Sequence, residues 1–300
     1  MNAALFEESL ALFPMVGEGQ LLGIIRWLSS FPEENGPKVA ACLIAPWEWS
    51  KTDHKTGLYK TVWQDCPPEI KKRIAIFGRT PQNADMFATH IGMPARVYPY
   101  PIPEDLAAAR SGPQPQADDS MTVSFVGGAR QHRGGEFVAD VVRRCSGSGI
   151  RFFIQARRGQ DSNIDEQQLT ALSGLPHVRV HEGPLERQDY YREIANSVVL
   201  LAYQPAAYRF RDSGVYHEAK CLDAPVLVSA GTWMADEVVS AGNGLVIDEL
   251  SVDGIVDCIM RAKGDLPALK AAAARVGHAE REQHGIRRCI DAIAGAFQGL

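Results

Sequence analysis

The stretch Ser197–Ser229 reads SVVLLAYQPAAYRFRDSGVYHEAKCLDAPVLVS. Its ends, SVVLLAY and PVLVS, are short apolar runs without polar alternation, the pattern of strands buried on both faces. Between them Ser213 stands where a helix N-cap belongs, so the order is strand, turn, helix, strand. A helical crossover of this kind returns the chain parallel to its first strand. The turn carries Arg209, Arg211 and Asp212, with Ser213–Gly214 and His217–Glu218 following at once. Charged groups crowded at the carboxyl end of a buried strand are a reason to look for a ligand there.

Working outward, the same alternation fills the chain. Toward the C-terminus PVLVSAG leads to a helix from Met234, strand GLVID and helix VDGIVDCIMRAKG. Toward the N-terminus lie TVSFVGG, helix EFVADVVRRC, strand RFFIQAR, a polar helix, strand HVRVHEG and helix ERQDYYREIAN. These predict a doubly wound parallel sheet of about six strands over residues 121–280. A helical tail, 281–300, packs back on the first domain or caps the second. Residues 104–120, rich in Pro, Gln, Ala, Ser and Asp, read as a linker. Before it, LALFPM, KVAACLIAP, RIAIFGRT and ARVYPYPI alternate with helical stretches and predict a smaller Rossmann-like domain over 1–103. The fold class is α/β with two Rossmann-like domains, the N-terminal one small or incomplete.

Composition bounds the chemistry. The 300 residues are 45% hydrophobic and 22% charged, with a net charge of −5, an ordinary globular balance that gives no footprint for nucleic acid. Six scattered cysteines form no C-x-x-C pair and no zinc spacing, so they read as thiols in a reducing compartment. No segment approaches the ~20 apolar residues of a membrane span. MNAALFEESLALFPMVGEG has neither the basic start nor the apolar run of a secretory signal. The expected location is cytoplasmic.

The helix start at Ser213 suits an anion. Gly214 lets backbone N–H groups approach a ligand, the positive end of the helix dipole favours phosphate, and Glu218 projects one turn deeper on the same face. Alone, such a start is more often just a capped helix. A second glycine-and-arginine turn, GGARQHRGG (Gly127–Gly135), follows the first strand of the same sheet and brings Arg130 and Arg133. Two anion-suited turns point to a diphosphate, for which the arginine fork is well shaped. His217, adjacent to Glu218, points elsewhere on its helix and reads as packing or a surface group.

Residues from about 120 to 280 resemble the nucleotide-sugar-binding domain of GT-B glycosyltransferases, in particular the large retaining family 4. Arg130 and Arg133–Gly134 match the family's Arg and Lys-Gly. HEGPLERQDYYREIANSVVLLAY matches its His-x-Gly segment, and SGVYHEAKCLDAPVLVS matches its glycine turn and glutamate. The E-x(7)-E of many members is broken, with Phe210 at the first position. Tyr208, Arg211, Ser213, Gly214 and Glu218 fit instead a subgroup reading Y-x-x-R-x-S-G-x-x-x-E-A. The resemblance implies a nucleotide-diphosphate sugar as donor, with no separate cofactor. It also implies transfer with retention and without a metal, to a glycan or lipid-linked acceptor. Arg130, Arg133 and Glu218 are the implied catalytic set. Gly127, Gly128, Tyr208, Arg211, Ser213, Gly214 and Val215 complete the implied donor site, with Tyr208 and Arg211 facing phosphate or sugar.

The first domain resembles only the later part of its family counterpart, so the chain is expected to be short at its N-terminus. Gly17 and Gly19, in a G-x-G-x-x-x-G turn that departs from the dinucleotide spacing, are acceptor-side candidates. Glu48 and His54, in WEWSKTDHKTG, are the others, against the equally weighted reading of an exposed polar loop. KKR (Lys71–Arg73) reads as a solvated helix end. A non-hydrolysing nucleotide-sugar epimerase and a non-catalytic nucleotide-sugar-binding relative stay as alternatives. A peripheral membrane role is compatible with this reading.

Overall fold

The computed structural model describes residues 9–32, 36–45, 54–103, 106, 120–128, 131–156 and 164–297. Two compact units divide the chain. The first holds Met1–Pro101, Phe210–Asp212 and His284–Leu300, and the second Ile102–Arg209 and Ser213–Gln283. Most of the linker, 104–105 and 107–119, lies outside the described residues.

The first unit is built on a parallel four-stranded sheet in the order β1 (Leu10–Val16), β2 (Lys38–Leu43), β3 (Ile74–Gly78), β4 (Ala95–Val97). Helices α1 (Glu18–Leu28), α2 (His54–Gln64), α3 (Pro68–Lys71) and α4 (Pro81–Met86) join them, α4 running on into a π turn at Phe87–Ile91. Alternate residues of β2 point to opposite faces. Val39, Ala41 and Leu43 join Leu21, Leu28, Tyr59 and Phe87 on one face. Ala40 and Cys42 join Phe77, Tyr98 and, from α13 (Ile286–Gly295), Cys289 and Ile293 on the other. Arg73 departs from the solvated helix end that its basic run suggests. It is buried, and its guanidinium donates to the carbonyls of Pro37 and Leu28, both at 3.3 Å. The last carbonyl of α1, which accepts from Phe31 N at 3.2 Å, takes Arg73 as a second donor.

The second unit carries β5 (Thr122–Phe125), α5 (Val138–Arg144), β6 (Arg151–Ala156), α6 (Glu166–Ser173), β7 (Val178–Glu182), α7 (Arg187–Ala195) and β8 (Val198–Leu201). It continues with α8 (Pro205–Tyr208), α9 (Gly214–Cys221), β9 (Val226–Ser229), α10 (Trp233–Ala241), β10 (Gly244–Ile247), α11 (Val252–Gly264) and α12 (Leu266–Gln283). Its six strands are all parallel, in the order β10-β9-β8-β5-β6-β7. Each four-residue strand from the opening stretch, VVLL and VLVS, is buried at every position, as their unbroken apolar runs require. Val123, Phe125, Ile154, Leu200 and Leu227 pack with Val142 and Ile259 from the covering helices. Where β5 meets β8, Ser197 donates to Ser124 at 2.6 Å, so the buried hydroxyls at the centre of the sheet are paired.

Candidate functional site

The strand order of the second unit reverses between β5 and β8, where open α/β sheets bind ligands at the carboxyl ends. The two loops leaving those strands are the two singled out from the sequence. After β5 come Gly127 and Gly128, a helical turn at Gln131–Arg133, and Gly134. After β8 come Tyr203, α8 and the Ser213 helix start. Gly134 sits at φ 76, and a Cβ there would lie 2.9 Å from Ala202 Cβ and closer still to the Ala202 carbonyl, so only glycine lets these loops meet. Gly127, at φ 86, has the same requirement, with Val215 Cγ2 at 3.3 Å from where its Cβ would be.

Arg133 is the cation this arrangement fixes. Its Nη1 donates to the Gly127 carbonyl, its Nε donates to the Tyr208 hydroxyl at 3.2 Å, and its guanidinium lies 5.8 Å from the Tyr203 ring. Burial works against its charge, but the phenols of Tyr203, Tyr208 and Tyr190 outweigh that and hold its pKa above the ordinary arginine value. Burial in turn pushes the Tyr203 phenol up, so a neutral ring faces a permanent cation. Tyr208 differs from the sequence reading. Its side chain is buried between the Tyr203 ring at 4.3 Å and the stacked His132 ring at 5.9 Å, so it buttresses Arg133 instead of facing a ligand. An aromatic beside an arginine in a loop is better buried than exposed when its hydroxyl finds a donor.

On the other loop, Ser213 caps α9 by accepting from Tyr216 N at 3.3 Å. Gly214 opens the helix and Val215 is buried against Gly127. One turn deeper, Tyr190 of α7 donates to Glu218 Oε2 at 2.8 Å, which orients the carboxylate. His217 is buried and stacks on Trp233 at 5.6 Å, a packing role.

Arg130 and Glu48 fall outside the described residues, and His54 starts α2 with its side chain outside the description. Arg211 belongs with Phe210 and Asp212 to the first unit, a placement the linear order does not suggest. There the Phe210 ring packs on the core, its carbonyl accepts from Asn83 Nδ2 at 3.2 Å, and Asp212 pairs with Arg79 at 3.1 Å. Gly17 caps α1, its N–H donating to Gln20 Oε1 at 2.6 Å, and Gly19 lies in the first turn. Sequence reasoning missed Tyr190, Tyr203 and Gln155. A polar residue near the carboxyl end of an apolar strand, as in FFIQ, was the available signal for the last.

Among the described residues no group of three His, Cys, Asp or Glu could hold a metal ion, and no helix is long and apolar enough to cross a membrane. No family model and no curated protein sequence matches the chain. Solved structures do. HepE of Anabaena in complex with UDP superposes with a TM-score of 0.71 at 14% identity, over 97% of this chain and 79% of that one. The trehalose-6-phosphate structure from E. coli bound with UDP-2-fluoro glucose gives 0.73 at 12%, over 99% and 75%. WaaG, a glycosyltransferase involved in lipopolysaccharide biosynthesis, gives 0.58 at 16%, over 97% and 100%. At these identities the likeness is one of fold. The fold is the mixed α/β, two-sheet GT-B type expected from the sequence.

Proposed function

We propose that this chain is a glycosyltransferase that moves a sugar from a nucleotide-diphosphate sugar to an acceptor. The observation that supports it best is the fixed Arg133 guanidinium at one switch-point loop with a capped, glycine-opened helix start at the other. Charge grows on the departing diphosphate as the glycosidic bond breaks, and a cation and helix amides already in place stabilise it without reorganising. In this reading Arg133, joined by Arg130, supplies that charge in place of a metal. Glu218, oriented by Tyr190, accepts from the ribose hydroxyls. Structures of the same fold solved with UDP and UDP-glucose favour a nucleotide diphosphate as the ligand class. Retention at the anomeric carbon and a glycan or lipid-linked acceptor stand on the resemblance in the motifs. Gly17, Gly19, Glu48 and His54 remain the acceptor-side candidates.

Product analysis tests the proposal. The chain is incubated with UDP-, GDP- and ADP-sugars, with and without a panel of glycan and lipid-linked acceptors, and followed by NMR. Acceptor-dependent release of nucleoside diphosphate is expected, with the anomeric configuration of the donor kept. An epimerised nucleotide sugar formed with no acceptor present would replace transfer by epimerisation. Binding with no turnover of any donor would leave a non-catalytic relative.

A further inference from the structure

The side chain of Gln155 ties three strand ends together, and nothing in the proposed chemistry yet uses it. Gln155 is the fifth residue of β6, next to the end of the strand, opposite His181 of β7 and one residue past the last paired position of β5. Its Oε1 accepts from Gly127 N at 2.9 Å, and its Nε2 donates to the Gly183 carbonyl at 3.1 Å. The partners fix the amide's orientation, since a backbone N–H needs the oxygen and a carbonyl needs the nitrogen. Gly183 is also held from its other side, its N–H donating to the Ala156 carbonyl at 2.9 Å. Both tied glycines have left-handed backbones, φ 86 at Gly127 and φ 94 at Gly183. Such residues have several accessible conformations, so an outside contact decides which one is kept.

The chain of contacts continues from Gly127, whose carbonyl accepts from Arg133 Nη1, while Arg133 Nε donates to Tyr208. One line of hydrogen bonds therefore runs from the turn after β7, through Gln155, to the turn after β5 and the guanidinium beyond it. We infer that Gln155 is a positioning residue. By fixing the Gly127 turn it sets where Arg133 presents its charge, and so sets the preference for a diphosphate over a monophosphate without touching either. The inference rests on the reading of Arg133 as a diphosphate ligand.

A double-mutant cycle tests it. The ligands are whichever of UDP, GDP and ADP the folded chain binds most tightly by calorimetry, together with the matching monophosphate. Gln155→Met keeps the side-chain volume and removes both hydrogen bonds; Gln155→Ala serves if the Met variant does not fold. The ratio of diphosphate to monophosphate affinity is expected to fall on the order of tenfold in the Gln155 variant. It should fall further in Arg133→Ala, and no further in the double variant than in Arg133→Ala alone, because the first change acts through the second. A Gln155 variant with a wild-type ratio, beside an Arg133→Ala variant that loses it, would overturn the inference alone. Additive losses in the double variant would do the same. A wild-type chain that does not distinguish diphosphate from monophosphate would overturn the underlying reading and the inference with it.

Discussion

Replacing Lys220 by methionine tests the scaffold behind the donor helix. Lys220 lies on α9, two residues past Glu218, and is 4% exposed. Its Nζ donates to Glu237 Oε2 of α10 at 2.8 Å and to Glu280 Oε1 of α12 at 2.6 Å, and lies 4.8 Å from the Tyr216 ring. Burial acts against its charge, but the two carboxylates outweigh it and hold the pKa above the ordinary lysine value. Methionine keeps the stem and removes the cation, leaving two carboxylates, 31% and 14% exposed, without their shared partner. Removing one member of a buried ionic group costs about 3–5 kcal/mol. At about 1.4 kcal/mol per factor of ten, amide protection across α9 should drop roughly 100- to 4,000-fold. Hydrogen exchange read by mass spectrometry on peptides covering 213–223 measures this locally. The variant Lys220→Met with Glu237→Gln and Glu280→Gln should regain most of the protection, because a neutral replacement of the whole group leaves no orphaned charge. Protection in the single variant within about tenfold of wild type would refute the reasoning.

Two further outcomes follow from the packing. Gly277 of α12 faces α9 so closely that a Cβ would lie 2.5 Å from the Lys220 carbonyl and closer still to the Asp223 carboxylate. Gly277→Ala should destabilise the chain by about 1–3 kcal/mol, seen as a lower Tm, and an unchanged Tm would contradict the close approach. Burial pushes the thiols of Cys42 and Cys258 up from 9.0 to about 11 and that of Cys221 to about 12. Their folded pKa values lie above the unfolded ones, so the stability they confer is full below about pH 8.5 and is lost as pH rises through about 11 for Cys42 and Cys258 and about 12 for Cys221. Lys220, also raised, contributes with the same sign at still higher pH. The urea midpoint should therefore fall between pH 8.5 and 11, and a midpoint flat over that range would exclude the effect.

The parts of the fold that were legible are those where local pattern and global burial agree. VVLL and VLVS could be placed in the middle of a parallel sheet because a strand covered on both faces has no polar side to show. The glycine turns were legible because only glycine meets the backbone they require, as Gly134 does against Ala202. What stayed hidden depends on partners far away in sequence. Phe210 reads as a departure in a loop motif, yet its ring joins the core of the first unit. Tyr208 reads as a ligand contact, yet it is sealed between Tyr203 and His132 and holds Arg133 from behind. Arg73 looks solvated in a basic run, although two carbonyls, at Pro37 and Leu28, take its guanidinium into the interior. Charge in a sequence shows where a group is costly to bury, and the fold decides which ones it pairs and buries.

The most direct test of the central claim is calorimetric titration of wild type and Arg133→Ala with UDP, GDP and ADP. Wild type should bind at least one of the three diphosphates. Arg133→Ala, still folded, should bind it roughly 10- to 150-fold more weakly, the loss of one charge-assisted contact of about 1.5–3 kcal/mol. Equal affinity in the two proteins would contradict the account.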